Sequence, residues 1–212
     1  MKKIARIVDS QTVEILTFED DAQNLSAEFA VEREERKFDY VLVTRAGFIK
    51  IDHKGYVGIM NSSGEIVIPI KFNFIRVTSH VIVAQEDGIV TFYRHSGEVW
   101  EFEHPYRLKG MDYASECAVL AQRRNSNVRA IYSFAKGEFL IGWTKRSRLV
   151  GRHWFFEDKS GEQKFVCAEN ELSKLWPAEE IYHFSYAAMV KIDGKYKIYL
   201  PSGLIENLGE KL

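Results

Sequence analysis

Apolar and polar residues alternate along most of the chain, in short runs that end at glycine. The pattern is clearest in three ten-residue phrases: Gly55-Tyr-Val-Gly-Ile-Met-Asn-Ser-Ser-Gly64, Gly88-Ile-Val-Thr-Phe-Tyr-Arg-His-Ser-Gly97 and Gly194-Lys-Tyr-Lys-Ile-Tyr-Leu-Pro-Ser-Gly203. Alternation with a period of two is typical of a half-buried strand. Glycine is preferred in tight hairpins because it adopts positive φ without steric cost. Each phrase therefore predicts a strand held between two turns.

Two degenerate copies, Val128 to Gly137 and Arg152 to Gly161, keep the closing glycine but lack the opening one. A further apolar strand precedes most copies, as at Val41-Leu-Val-Thr. One unit is thus strand, turn, strand, hairpin and strand, which is an antiparallel meander. A single meander of this size cannot bury its apolar face. We therefore expect about five units over residues 41–212 to pack as one continuous domain, a solenoid or a propeller-like array.

The first 40 residues lie outside the repeats. Ile4 to Phe18 alternates enough to predict one or two strands, whereas Asp20 to Lys37 lacks glycine and proline and is rich in helix formers. Residues 1–40 are therefore expected to form strands plus an acidic helix that caps the array. A possible short helix is also predicted for Ala168 to Trp176, ended by Pro177. The expected fold class is mainly all-β.

Residues 54–77 resemble one unit of the WG-repeat family, whose pattern runs Gly-Lys-Trp-Gly-Tyr-Ile-Asp-x-x-Gly-x-x-Val-Ile-Pro and then an aromatic residue. The matching positions are Gly55, Gly58, Gly64, Val67, Ile68, Pro69 and Phe72. The copy at 194–203 keeps both outer glycines and has Tyr196 in the Trp slot, and no copy contains the Trp-Gly pair. The resemblance implies a bacterial or phage-related β-repeat module that serves as a binding surface, without shared catalytic residues.

Composition and motifs narrow the function classes. The chain is 46% hydrophobic with four prolines, as expected for continuous folded structure. Cys117 and Cys167 predict buried free thiols, since their spacing fits neither a zinc site nor a disulfide scaffold. The six histidines show no ligand spacing, and no nucleophile, phosphate-loop or dinucleotide motif occurs. We therefore expect no catalysis, metal or cofactor. Without a signal peptide or membrane-spanning run, the expected location is the cytoplasm.

The near-neutral net charge hides two opposed regions. Asp9 to Glu35 holds nine acidic residues and one basic residue, whereas Arg107 to His153 holds ten basic and three acidic ones. Basic loops next to aromatic residues suit phosphate contacts and base stacking. The alternative interpretation is that the acidic segment neutralises these loops or that solvent does. The candidate polyanion contacts are Arg123, Arg124, Arg129, Lys145, Arg146, Arg148 and Arg152.

Three functional hypotheses follow from these patterns. The first is a non-catalytic module that binds another protein through the loop face of the array. Its candidate anchors are Tyr93, Trp100, Tyr106, Trp143 and Trp154. The second is polyanion or nucleic-acid binding through the loops at 123–129 and 145–152. The third is an enzyme whose site is assembled from distant units. The partner, the closure of the array and the role of the acidic segment stay open, and unpaired strand edges in an open array favour self-association.

Overall fold

The computed structural model describes residues 1–102, 106–122, 127–158 and 160–202, and the backbone of 205–209. Over these residues the chain forms 22 strands and one short 3-10 turn, in six small antiparallel sheets. The expected all-β fold of tandem meanders is confirmed. The chain divides into two compact units, Met1–Glu101 and Phe102–Leu212, whereas the sequence division fell at residue 40.

The first unit contains sheets 1 to 3, with sheet 1 ordered β1-β2-β3, sheet 2 β4-β5-β6-β7 and sheet 3 β8-β9-β10. Their strands are β1 (Lys2–Ile7), β2 (Thr12–Phe18), β3 (Glu32–Lys37), β4 (Tyr40–Val43), β5 (Ile49–His53), β6 (Tyr56–Met60), β7 (Ile66–Phe72), β8 (Phe74–Val77), β9 (Ile82–Glu86) and β10 (Ile89–Tyr93). Sheet 1 packs on sheet 2 through a core that includes Ile15 and Ile51. Sheet 2 packs on sheet 3 through Ile59, Phe72 and Ile82.

The second unit repeats this plan in sheets 4 to 6, ordered β11 to β14, β15 to β18 and β19 to β22. Their strands are β11 (Arg107–Asp112), β12 (Cys117–Ala121), β13 (Arg129–Ser133), β14 (Glu138–Thr144), β15 (Ser147–Val150), β16 (His153–Glu157), β17 (Lys164–Ala168), β18 (Trp176–Ala178), β19 (Glu180–His183), β20 (Ala188–Ile192), β21 (Lys195–Tyr199) and β22 (Ile205–Gly209). Cys117 and Cys167 lie in the core between sheets 4 and 5 as buried free thiols, as predicted. Burial raises the pKa of the Cys167 thiol to about 12.

Four closing turns share one hydrogen-bonding pattern, in which a glycine with φ between +80° and +90° donates its N–H to the carbonyl three residues earlier. The four glycines are Gly47, Gly64, Gly97 and Gly161. Positive φ explains the choice of glycine, since other residues adopt this conformation only with strain. Gly47 belongs to a copy of the turn that the sequence repeats did not reveal. Gly203 lies outside the described residues.

The opening turns are two-residue hairpins in which both residues have positive φ, as type I′ turns require. They are formed by Lys54-Gly55, Asp87-Gly88 and Asp193-Gly194. In all three, the residue just before the first strand of the sheet accepts a hydrogen bond from a turn N–H. The pairs are Asp39 Oδ2 with Lys54, Asn73 Oδ1 with Asp87 at 2.9 Å, and Glu179 Oε1 with Gly194 at 2.7 Å. We call this contact the brace.

Strands β6 and β7 approach each other closely at Gly58, which leaves no room for a larger residue at this position. A Cβ atom at this position would lie 2.6 Å from Ile70 Cγ1 and 3.0 Å from the carbonyl oxygen of Ile68. Contacts this short require a neighbour to shift, so only glycine fits without moving β7. This gives a physical reason for the second glycine of the phrase at 55–64.

The predicted helix over Asp20 to Lys37 is wrong. Glu32–Lys37 forms β3, which pairs along β2, and only Ala27–Phe29 adopts a 3-10 turn. Strand β2 is buried along its whole length. Its backbone groups therefore need hydrogen-bonding partners on both sides, and β1 and β3 supply them. This tertiary requirement outweighs the helix propensity of Glu, Arg and Lys, which is a weak preference.

The short helix predicted for Ala168 to Trp176 is also wrong. Ala168 ends β17, Trp176 begins β18, and turns connect the two strands. Within the connection, the buried Leu172 donates its N–H to Asp112 Oδ2 at 3.2 Å. Pro177 does not end a helix. It lies in β18, where it pairs with Phe165 of β17. Among the described residues, no helix combines the length and apolarity needed to cross a bilayer.

Candidate functional site

Two hairpin tips of sheet 6 lie side by side and carry exposed aromatic residues. The turn between β19 and β20 runs from Phe184 to Ala187 and is closed by the Phe184 N–H, which donates to the Ala187 carbonyl at 2.9 Å. Phe184 is 54% exposed and Tyr186 is 80% exposed. The turn after β21 adds residues 200–202. Together, His183 to Ala187 and Leu200 to Ser202 line an open depression of about 770 Å³.

Arg148 ties this depression to sheet 5. The Arg148 Nη2 atom donates a hydrogen bond to the Ser185 carbonyl oxygen at 2.6 Å, which fixes both the turn and the guanidinium. We define the tip surface as residues 183–187, 200–202 and Arg148. None of the described residues that line the depression is acidic. The tip surface is therefore apolar, with the guanidinium of Arg148 beside it and the carboxylate of Glu157 near His183.

A buried layer of aromatic residues supports the tips from below. Tyr199 at the end of β21 is 3% exposed, and burial raises its pKa. Its ring centroid lies 5.2 Å from that of Phe155 and 4.8 Å from that of His153. The His183 ring also meets Phe155, edge to face at 6.2 Å. Burial, and then the charge of Arg148, lower the pKa of His183, which favours the neutral ring.

Two of the five aromatic residues predicted as anchors are buried inside the compact units. Trp154 is 2% exposed in the core between sheets 4 and 5, and Trp100 is buried beneath the Arg94 guanidinium, 4.4 Å from its ring. Side chains buried this deeply cannot contact a partner without a change in the fold. Tyr93, Tyr106 and Trp143 are half-buried. Tyr93 and Trp100 belong to the first compact unit, and Tyr106, Trp143 and Trp154 belong to the second.

Several of the predicted polyanion contacts already have internal partners. Arg129 donates to the Ser147 carbonyl at 2.8 Å and lies 5.2 Å from the Trp154 ring, and burial lowers its pKa. Arg146 pairs with Glu157 at 3.2 Å. Arg148 belongs to the tip surface, as described above. Three of the seven predicted basic residues therefore already contact other groups of the protein.

The remaining predicted bases lie at different ends of sheet 5. Lys145 and Arg152 are exposed. Lys145 precedes β15 and Arg152 follows it, so the four residues of that strand separate them by roughly 13 Å. The structure therefore does not gather all the bases into one patch. Arg123 and Arg124 lie outside the described residues.

Phe184 and Tyr186 were missed by reasoning from the sequence. A signal for them exists, because the Phe-Ser-Tyr-Ala turn between two apolar strands holds two aromatic residues where polar residues and glycine are usual. The exposure of their side chains depends on packing between sheets 5 and 6, which no local pattern reports. Among the described residues, no group of three or more His, Cys, Asp or Glu side chains could hold a metal ion.

Comparison with known proteins gives only distant structural likenesses. No family model matches the chain, and the search of curated proteins returned no match. Hsv2 of Kluyveromyces lactis is 10% identical with a TM-score of 0.34, over 91% of this chain and 69% of that one. PorZ, a type-IX secretion component of Porphyromonas gingivalis, is 9% identical with a TM-score of 0.31, over 98% of this chain and 32% of PorZ. Likenesses this weak carry no argument about function.

Proposed function

We propose that the chain is a non-catalytic protein-binding module whose contact surface is the tip surface. The observation that supports this is the exposure of Phe184 and Tyr186 on a turn held by Arg148 and backed by the buried Tyr199. Aromatic residues and arginine dominate the binding energy of protein interfaces. Aromatic side chains on a rigid support lose little conformational entropy on binding, since they have only two rotatable bonds.

The test is a crosslinking and capture experiment from the lysate of the native organism. The wild-type chain is compared with the double variant Phe184→Ala/Tyr186→Ala, called the tip variant. Tyr56→Ala is the matched control, because Tyr56 is a similarly exposed aromatic residue in the first unit. A partner retained by the wild type and by Tyr56→Ala should be lost from the tip variant. Equal capture by all three chains would contradict the assignment of the surface.

A second candidate function is polyanion binding at the end of sheet 5 where β15 begins, next to Lys145 and Arg146. The observation that favours it is a contact between Asn127 and the first residue of β15. The Ser147 hydroxyl donates to the Asn127 carbonyl at 3.3 Å, which joins the chain after residue 126 to the segment that carries Lys145 and Arg146. Cationic residues in neighbouring loops can neutralise successive phosphates of one strand.

This candidate predicts binding to single-stranded DNA that weakens steeply with salt, because ligand binding releases counterions. Reversing the charge of Lys145 and Arg146 should remove most of the binding in fluorescence anisotropy. Lys195→Glu reverses the charge of one exposed lysine of sheet 6 and is the control for each of the two single reversals. Binding that ignores salt concentration would rule the candidate out.

We also propose that the repeats belong to the WG-repeat family. The supporting observations are the positive φ of Gly55 and Gly64 and the close approach at Gly58, which give each matched glycine a conformational role. The check is a sequence alignment of homologues. It should show Trp-Gly at positions 57–58 in some of them, and an alignment without this pair at any repeat would count against membership.

A further inference from the structure

The acidic segment, residues 19–32, leads from the end of β2 to the first residue of β3 and is mostly exposed. It contains five acidic residues and no basic one. Phe29 is 59% exposed and Val31 is 50% exposed, so apolar side chains stand in solvent among the carboxylates. The packed sheets of the first unit do not cover them. Neighbouring apolar side chains that are exposed and rimmed by polar groups are one feature of surfaces that bind another protein.

The acidic segment is held in a defined conformation at its C-terminal half. The Ala27 carbonyl accepts hydrogen bonds from the N–H of Ala30 and from the Arg33 guanidinium. The Val31 N–H donates to the Thr17 carbonyl at 2.9 Å. Phe29 therefore projects from an ordered 3-10 turn. An ordered segment loses less entropy on binding than a flexible one.

The tip surface and the acidic segment complement one another in charge and in apolar character. The tip surface offers Phe184, Tyr186 and the positive charge of Arg148. The acidic segment offers the exposed Phe29 and five carboxylates, of which that of Asp20 pairs with the N-terminal amine of Met1. We propose that the tip surface binds the acidic segment of a second copy of this chain. The proposal rests on the proposed protein-binding function and names the partner of that same surface.

Pairing of two different surfaces makes the association heterologous. Each copy offers one tip surface and one acidic segment, so copies would join head to tail into a ring or an open chain. Exposed charges contribute to such contacts mainly through orientation and association rate, and salt screens them. The apolar contacts of Phe29 with the tip aromatics would supply most of the affinity. Self-association should therefore weaken, without disappearing, at high salt.

The first test measures the mass of the 212-residue chain by sedimentation velocity over a range of concentrations. The wild type should grow beyond the mass of one copy as concentration rises. Phe29→Ala and the tip variant should each weaken self-association roughly ten-fold or more, as expected for the loss of an aromatic anchor. Tyr56→Ala and Lys195→Glu should leave it unchanged. A mass of one copy at all concentrations would overturn the proposal.

Mixing the two defective chains gives a sharper result. Phe29→Ala retains an intact tip surface, and the tip variant retains an intact acidic segment. Their mixture should form a complex of two copies and no larger species, because one functional pair of surfaces remains. Failure of the mixture to pair, although the wild type self-associates, would place the contact elsewhere and overturn the proposal.

The proposed function and the proposed partner fail in different ways. If the wild type stays a single copy, yet the tip variant loses a captured protein that Tyr56→Ala retains, the binding function stands and the second copy is excluded as partner. If the tip variant retains every captured protein and also self-associates like the wild type, both proposals fail.

Discussion

The brace shows how one polar side chain links the start of a sheet to one of its hairpin turns. Asn73 Oδ1 accepts the Asp87 N–H at 2.9 Å, and this links the residue before β8 to the turn between β9 and β10. We predict that Asn73→Ala lowers the free energy of unfolding by about 1 kcal/mol, the net value of a typical hydrogen bond. Urea denaturation measures the change. Asn73→Asp retains the acceptor and should lose less, so equal losses would argue against the brace.

His153 should make the second unit sensitive to acid. Burial lowers its pKa, and Nδ1 is buried without a hydrogen-bond partner in the described part of the chain. In the unfolded chain the imidazole titrates near pH 6.5, about where an unperturbed histidine does. The stabilising effect of a neutral His153 is therefore present above about pH 6.5 and is lost as the pH falls through the folded-state pKa.

The prediction is a decline of Tm as the pH falls below about 6.5 that is shallower in His153→Gln, measured by circular dichroism. His183 has its pKa lowered in the same direction, so some decline should remain in the single variant. The double variant His153→Gln/His183→Gln should be shallower still. Parallel curves for the wild type and both variants would contradict the assignment.

At the level of the element, two of the closing turns, those of Gly64 and Gly97, pack on the sheet before them. A Cβ atom on Gly97 would lie 2.7 Å from the Val67 carbonyl oxygen in β7, whereas one on Gly47 would meet nothing within 4 Å. Both glycines have φ near +85°, at +90° and +83°. Gly47→Ala thus measures the backbone strain alone, and Gly97→Ala measures the strain plus the clash.

We predict that Gly47→Ala costs roughly 1–2 kcal/mol, the strain of a left-handed residue. Gly97→Ala should cost about 1–3 kcal/mol more, the typical penalty of overpacking. Chemical denaturation of the two variants gives the difference directly. Equal losses in the free energy of unfolding would mean that β7 shifts to accommodate the added methyl group at little cost.

The sequence could predict features that depend on the local backbone conformation, but not those that depend on packing between sheets. Closing and opening turns leave a local signature, because positive φ selects glycine at Gly64 and Gly97 whatever surrounds them. Strand β3 leaves none, since its conformation depends on the unpaired edge of β2. The exposure of Trp154 and Tyr186 likewise depends on which sheet covers them, and so reasoning from the sequence chose the buried tryptophan and missed the exposed tyrosine.

At the level of the whole molecule, opposed charges lie on different compact units. The acidic segment belongs to Met1–Glu101, and the basic residues around Arg148 belong to Phe102–Leu212. A near-neutral chain with separated charge favours contacts between copies more than a chain with evenly mixed charge does. Mutations on each unit can therefore test one side of the proposed contact without altering the other.

Each compact unit should also fold without the other. The cores between sheets 1, 2 and 3 lie within the first unit, and those between sheets 4, 5 and 6 lie within the second. A chain of about 100 residues can bury enough apolar surface to fold alone. Trp100 is the only tryptophan of the first unit, and Arg94 covers its ring. We predict that a fragment of residues 1–101 unfolds cooperatively in urea, with coincident changes in circular dichroism and Trp100 fluorescence. A fragment without a cooperative transition would show that the two units depend on one another for stability.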